Sequence, residues 1–307
     1  MKLFGSDEKF NSFCAQFSRE EDCFGILFNL KWPEGFRCPH CRHTHFYLIS
    51  TRRLPLYECR SCRSQTSLIV GTIMEGSRTP LHLWFQAIYL HTQPFGVNAV
   101  QLAEAIGVTY KTAWLIGHKI RHAMVQAESN RLLTGIVRIS DTVYSRRYTG
   151  SVEWHRQEQP LLIGASSNEN EQLKPIIVKL QSKTPLKNNY DFPDPLPFIR
   201  YHVDPQSAPQ AIITRRYGKN RNNALASMGH KVTWWIASVY RGIGPKHLQR
   251  YLDQFCYVYN RSSSTLFEQL ISDCAISKRI TYSTLTQSSA RSIRPTRVAR
   301  TAVPVVS

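Results

Sequence analysis

The chain of 307 residues holds no apolar run near the ~18 to 20 residues that a membrane-spanning helix needs. Its opening, Met1 to Phe10, has no apolar stretch of signal-peptide length, which points away from a secreted protein and toward a cytoplasmic one. Acid is scarce. Only 21 Asp and Glu stand against 39 Lys and Arg, for a formal net charge of +18. Between Pro205 and Leu252 there is no acidic residue at all against eight Lys and Arg, and none follows Asp273. A soluble chain this basic works most simply against a polyanion, with nucleic acid as first candidate and a generically basic surface as the alternative. Hydrophobic residues make up 42% and aromatics 11%, so packed cores are available and wholesale disorder is excluded. The length suits about two domains.

Eight cysteines are present, and spacing sorts them. Cys38-Pro39-His40-Cys41 and Cys59-Arg60-Ser61-Cys62 are two C-x2-C knuckles separated by 17 residues. That spacing suits a four-thiolate zinc site, each knuckle gripping one side of a tetrahedral ion. Disulfides are the competing reading, disfavoured in a chain without a secretion signal. Four protein thiolates leave no open position for chemistry, so the expected Zn²⁺ is structural. His40, His43 and His45 crowd the first knuckle and read as bystanders or phosphate contacts. Cys14, Cys23, Cys256 and Cys274 are isolated in apolar surroundings and read as buried thiols.

Ser18-Arg19-Glu20-Glu21 has the form of a capping box opening a short helix to Leu30, which Trp32-Pro33-Glu34-Gly35 breaks. Between the knuckles, residues 46–49 and 54–57 flank Ser50 to Arg53, a pattern for a β-hairpin with a basic tip. Leu81, Trp84, Phe85, Ile88 and Tyr89 recur at helical spacing and read as a core stripe. A short helix over 99–106, a Gly107-Val108 turn and a longer helix from Tyr110 to Met124 capped by Thr109 have the shape of a helix-turn-helix. A plain helical hairpin would share that pattern. Tyr110, Lys111, Lys119 and Arg121 on the second helix are the candidate contacts to double-stranded DNA. From Leu133 the texture becomes β, predicting strands at 136–144, 160–166, 175–180 and 198–203. Helices are expected at 206–215, 225–240, 245–260 and 265–275. Strands followed by helices indicate a layered α/β or α+β domain. Thr184 to Pro197, with four prolines, reads as a loop. The end of the chain, with Lys278, Arg279, Arg291, Arg294, Arg297 and Arg300, reads as a disordered basic tail suited to phosphates.

Several blocks resemble bacterial insertion-sequence transposases that begin with a zinc ribbon. They are Trp32-Pro33, Gly35-Phe36 and Cys38-Pro39 with Cys41, then Tyr57, Cys59, Cys62, Gln65-Thr66-Ser67 and Gly71-Thr72-Ile73. The likeness continues through Pro80-Leu81, Trp84-Phe85, Gln101-Leu102, Ile106-Gly107-Val108 and Tyr110 to Trp114. It returns at Pro245 to Phe255 and Tyr259-Asn260-Arg261. The resemblance implies a multidomain α+β protein: a zinc ribbon plus helix-turn-helix, then a ribonuclease-H-like α/β domain of the DDE type. Expected limits are 1–75 for an N-terminal helix and ribbon, 76–132 for the helix-turn-helix region, 133–275 for the ribonuclease-H-like domain and 276–307 for the tail. Implied partners are double-stranded DNA, with a homo-oligomer on the DNA ends as an option, and no membrane.

In this family, acidic residues hold two divalent metals for in-line displacement at phosphorus, and Mg²⁺ favours such hard oxygen ligands. Here Ser140 stands where the first aspartate belongs, and Asp141, one residue later, falls on the opposite face of its strand. Asp204 suits the second position, while Lys231 falls near the third, where a cation repels Mg²⁺. Asp141 and Asp204 are thus the candidate catalytic residues of a degraded triad, and Mg²⁺ is a cofactor only if the chain is active. Three readings compete: an active transposase with a rearranged site, an inactive DNA-binding relative, and a zinc-ribbon scaffold for protein or RNA.

Overall fold

Three hydrophobic cores organise the residues that the computed structural model describes, namely 8–145, 150–167, 173–261 and 265–286. The first core begins with α1 (Glu8–Gln16), a helix the sequence pattern did not signal, and α2 (Phe24–Lys31), which follows a tight 3-10 turn at Glu20–Cys23. The capping acid is one residue later than expected. The Arg19 N–H donates to Asp22 Oδ2 at 2.8 Å, which leaves the Glu20 carboxylate for a larger task. Nearly buried, that carboxylate accepts the Leu81 N–H at 2.8 Å and Arg53 Nη1 at 2.6 and 2.9 Å. It ties the hairpin tip to the start of α3 (Leu81–Thr92).

The hairpin forms from β1 (Phe46–Ile49) and β2 (Leu56–Cys59), its second strand two residues later than expected, and β3 (Gln65–Ser67) adds a third antiparallel strand. Trp32, Phe36, Phe46 and Tyr57 fill the space behind it, with ring centroids 5.0 to 5.9 Å apart. After α3 come α4 (Ala99–Ile106) and α5 (Tyr110–Glu128). Asn98 Oδ1 accepts the N–H groups of Val100 and Gln101, while Gln101 reaches back to the Asn98 N–H at 3.1 Å. Gly107, at φ 65°, makes the left-handed step that ends α4, and Thr109 caps α5.

A four-stranded sheet carries the other two cores. β4 (Ile136–Tyr144), β5 (Gln159–Ser167) and β6 (Leu173–Leu180) are successive antiparallel neighbours, and β7 (Ile212–Thr214) lies parallel to β4, giving the order β6-β5-β4-β7. α7 (Asn223–Tyr240) and α8 (Pro245–Asn260) cover one face, and α6 (Leu196–His202) covers the other. Gly164 on β5 permits the close approach of α6. A Cβ there would stand 2.6 Å from the Phe198 ring.

Two expected elements are corrected. Residues 198–203 lie in α6 and its cap rather than a strand: Pro197 in the first turn presets a helical φ, and Phe198 is buried against the sheet. Residues 206–215 form a 3-10 turn at Ala208–Gln210 followed by β7. There the Asp204 carboxylate accepts the Gln206 N–H and fixes the turn, and the β-branched run Ile212-Ile213-Thr214 pairs with β4. The last helices cross the expected domain limit. α9 (Leu266–Ile276) packs in the first core with the ribbon and α3, and the Cys274 carbonyl accepts the Ile73 N–H at 3.2 Å. α10 (Tyr282–Thr286) follows; the tail from 287 onward, including Arg291 to Arg300, lies outside the described residues. The class is mixed α+β.

Candidate metal centre and nucleic-acid interface

Cys38, Cys41, Cys59 and Cys62 bring their sulfurs within 4.8 Å of one another. The Cys38–Cys62 and Cys41–Cys59 sulfur pairs are 3.6 and 3.5 Å apart, close to the ~3.8 Å edge of a tetrahedron with Zn–S bonds of ~2.3 Å. The backbone builds both knuckles alike. Cys38 donates to the His43 carbonyl and Arg42 to the Cys38 carbonyl; Cys59 donates to Ser64 and Arg63 to Cys59. Arg42 (φ 62°) and Arg63 (φ 60°) make the same left-handed step after each second cysteine. The Cys62 backbone N–H, directed at the Cys59 sulfur, holds that thiol down at about 7. Cys62 itself, although the Ser64 N–H favours its thiolate, is pushed up to about 12 by burial and its three sulfur neighbours. Four crowded thiols that cannot all ionise alone are the donor set a divalent cation completes. The His43 and His45 rings, tilted to each other with centroids 5.3 Å apart, are not part of the sulfur cluster, and Cys23, Cys256 and Cys274 are buried with Cys14 half-buried.

The four candidate DNA contacts on α5 separate into two pairs. Tyr110 and Lys111 are exposed at its capped N-terminus. Lys119 and Arg121 are buried, which corrects their assignment to a DNA surface. The middle of α5 is enclosed by α8 on one side and by α3 and the segment around Glu75 on the other. Lys119 Nζ donates to the Glu75 carbonyl at 3.2 Å. Arg121 Nε donates to Gln254 Oε1 at 2.7 Å, its Nη2 donates to the Tyr240 hydroxyl, and its guanidinium lies 4.2 Å from the Tyr251 ring centroid. Arg121 holds the helical core to the sheet layer, whereas Lys119 ties α5 to the segment ahead of α3.

The candidate acids are not brought together. Thr142 on β4 packs against Gly229 of α7, so Asp141, one residue before it, points from the opposite face. Asp141 is buried, accepts the Arg216 N–H on Oδ1 at 2.7 Å, and has Arg216 Nε 3.3 Å from Oδ2. Burial pushes its carboxyl above the usual range, while the Arg216 N–H and guanidinium pull the other way. Asp204 sits beyond the opposite end of β4, where its N–H donates to the Leu133 carbonyl at 2.8 Å. At ~3.3 Å per strand residue the two carboxylates are on the order of 20 Å apart along β4. Ser140 is buried, and Lys231 is exposed on α7. The residue sequence reasoning missed is Arg216, 75 positions from its partner; its only signal was its place in the acid-free run.

A symmetric four-sulfur knuckle pair on a three-stranded ribbon defines a zinc-ribbon protein. Residues 18–65 match the family described as the transposase zinc-ribbon domain. An uncharacterized protein in transposable element ISH50 of Halobacterium salinarum is 29% identical over 99 residues, which are 32% of this chain and 33% of that protein. The chain thus spans about a third of the curated relative it matches. That relative is archaeal, outside the bacteria the resemblance implied. No solved structure matches the chain. Together the matches support an insertion-sequence, transposition-related protein with structural zinc at its four-cysteine cluster. Among the described residues no helix is long and apolar enough to cross a membrane.

Proposed function

We propose that this chain binds the duplex ends of an insertion sequence through its zinc ribbon and the α4–α5 pair, and that it does not itself carry out metal-dependent strand transfer. The helix-turn-helix reading draws support from the capped α4, the Gly107 turn and the exposed Tyr110 and Lys111 at the start of α5. The ribonuclease-H-like reading draws support from the sheet order, three antiparallel strands with a fourth parallel to the first, and from helices on both faces. On this reading the domains are the zinc-ribbon and helical core, including α9, and the sheet with α6 to α8.

One observation carries the catalytic conclusion. Asp141, the only carboxylate on β4, is neutralised by Arg216 and lies far from Asp204. A two-Mg²⁺ site needs converging carboxylates, and this donor set does not fit one. Two DNA ends held together call for a homo-oligomer on DNA, in the cytoplasm of the host cell. The test uses the full chain with duplexes bearing its own element's ends. Lys111→Ala should weaken binding across sequences and lower the salt slope by about one unit. Robust Mg²⁺- or Mn²⁺-dependent cleavage by the unmodified chain, abolished by Asp141→Asn, would overturn the inactive reading.

A further inference from the structure

The segment after β7 runs Arg215-Arg216-Tyr217-Gly218-Lys219-Asn220-Arg221, four cations in seven residues within the acid-free run from Pro205 to Leu252. Arg215, Tyr217, Lys219 and Arg221 are exposed. Tyr217 is 52% exposed and Tyr190, from the loop before α6, is 50% exposed. Their rings lie side by side with centroids 5.3 Å apart. Two solvent-facing aromatic rings in contact present more apolar ring surface to water than a lone exposed tyrosine does, since such rings are more often turned into a core.

The pair is held in place from behind. The Arg216 guanidinium lies 4.8 Å from the Tyr217 ring and 5.9 Å from the Tyr190 ring, and its Nη2 donates to the Asn189 carbonyl. Its charge is taken up by Asp141, so this arginine anchors both loops to the sheet and is not available to a ligand. The two acids of the Tyr190 loop are engaged within that loop. Asp191 accepts the N–H groups of Lys187 and Asn188, and Asp194 accepts that of Leu196. The 18-residue helix α7 starts at Asn223 and adds the positive end of its dipole at the same place.

We propose that Tyr190 and Tyr217, flanked by Arg215, Lys219 and Arg221, form a docking platform for an unpaired nucleic-acid strand. Every base has a π-face that stacks on a tyrosine, and the flanking cations meet the phosphates between bases. A duplex conceals its base faces and would use only the cations, leaving the ring pair without a role. The proposal rests on the nucleic-acid reading above but on a different surface from α5, so the two fail separately.

The test measures anisotropy of a labelled oligothymidylate of about 15 nucleotides, near the upper site size of such grooves, and of a duplex of equal length, with the full zinc-loaded chain. Tyr217→Ala and Tyr190→Ala should each weaken oligothymidylate binding about tenfold, the order expected for one stacked base, with duplex binding unchanged. Tyr217→Phe should retain affinity, because it keeps the ring. Lys111→Ala should weaken only the duplex. Both tyrosines are exposed, and an unchanged thermal transition in the alanine variants verifies that they fold. Oligothymidylate affinity indifferent to the tyrosines, or equal losses on both probes, would overturn the platform and leave a phosphate-binding surface. Duplex binding without oligothymidylate binding would overturn this proposal alone; the reverse would support it and overturn the α5 reading.

Discussion

His91 and His118 lie in the seam between α3, α5 and α8, each 1% exposed. The His91 Nδ1 is 2.7 Å from the Ala87 carbonyl. A carbonyl only accepts, so Nδ1 carries a proton, and in the neutral ring the lone pair is on Nε2. Neither ring nitrogen of His118 has a hydrogen-bond partner among the described residues. Burial, then the positive charge of Arg121, holds His91 down at about 3. Burial, then Arg121, His247 and Arg250, holds His118 down at about 2. Both native values fall below the ordinary ~6.5, so between those limits the unfolded chain binds protons that the native chain refuses. Stability is therefore full above pH ~6.5 and falls as the pH drops. At pH 5 each histidine costs about 2 kcal/mol relative to pH 7, and the pair about 4 kcal/mol, to an order of magnitude. Urea denaturation of the wild type and of His91→Gln/His118→Gln at both pH values reads this directly. The variant should lose about 4 kcal/mol less than the wild type between pH 7 and 5. Zinc thiolates also protonate in acid, but in both proteins, so zinc content measured alongside cancels that contribution. Identical losses in the two proteins would refute the reasoning.

Metal analysis should return one zinc per chain, and Cys59→Ser or a chelator should melt the ribbon; well under one zinc per chain would exclude the site. Glu20→Ala strands the buried Leu81 N–H and should cost about 2 to 3 kcal/mol in chemical denaturation. Arg53→Ala, which removes a partner that is 45% exposed, should cost under about 1 kcal/mol; equal costs would show that the helix contact contributes nothing. Gly164→Ala should destabilise by about 1 to 3 kcal/mol through collision with Phe198. Phe198→Leu in the same chain should recover part of that loss, and strict additivity of the two changes would argue against the contact.

The features legible in the sequence are those set by residues close together along it. The two knuckles need only two-residue spacing to aim their sulfurs, and the Gly107 turn and the Thr109 cap act within one turn of the helices they bound. Long periodic segments such as β4, α7 and α8 also announce themselves, because burial repeated over many residues outweighs local ambiguity. Short segments do not. Residues 198–203 and 212–214 are both rich in β-branched or aromatic residues, and only the fit of Phe198 over Gly164 and the pairing of β7 with β4 decided which became helix and which strand. The faces of α5 were equally undetermined. Lys119 and Arg121 look like groove contacts until α8, 133 residues beyond Arg121, supplies Gln254 and encloses them. The same holds for Asp141, whose position in the sequence admits a metal ligand and whose contact with Arg216 makes it an internal ion pair. Local spacing sets direction and capping, whereas charge neutralisation and burial are properties of neighbours that only the folded chain brings within a few ångströms.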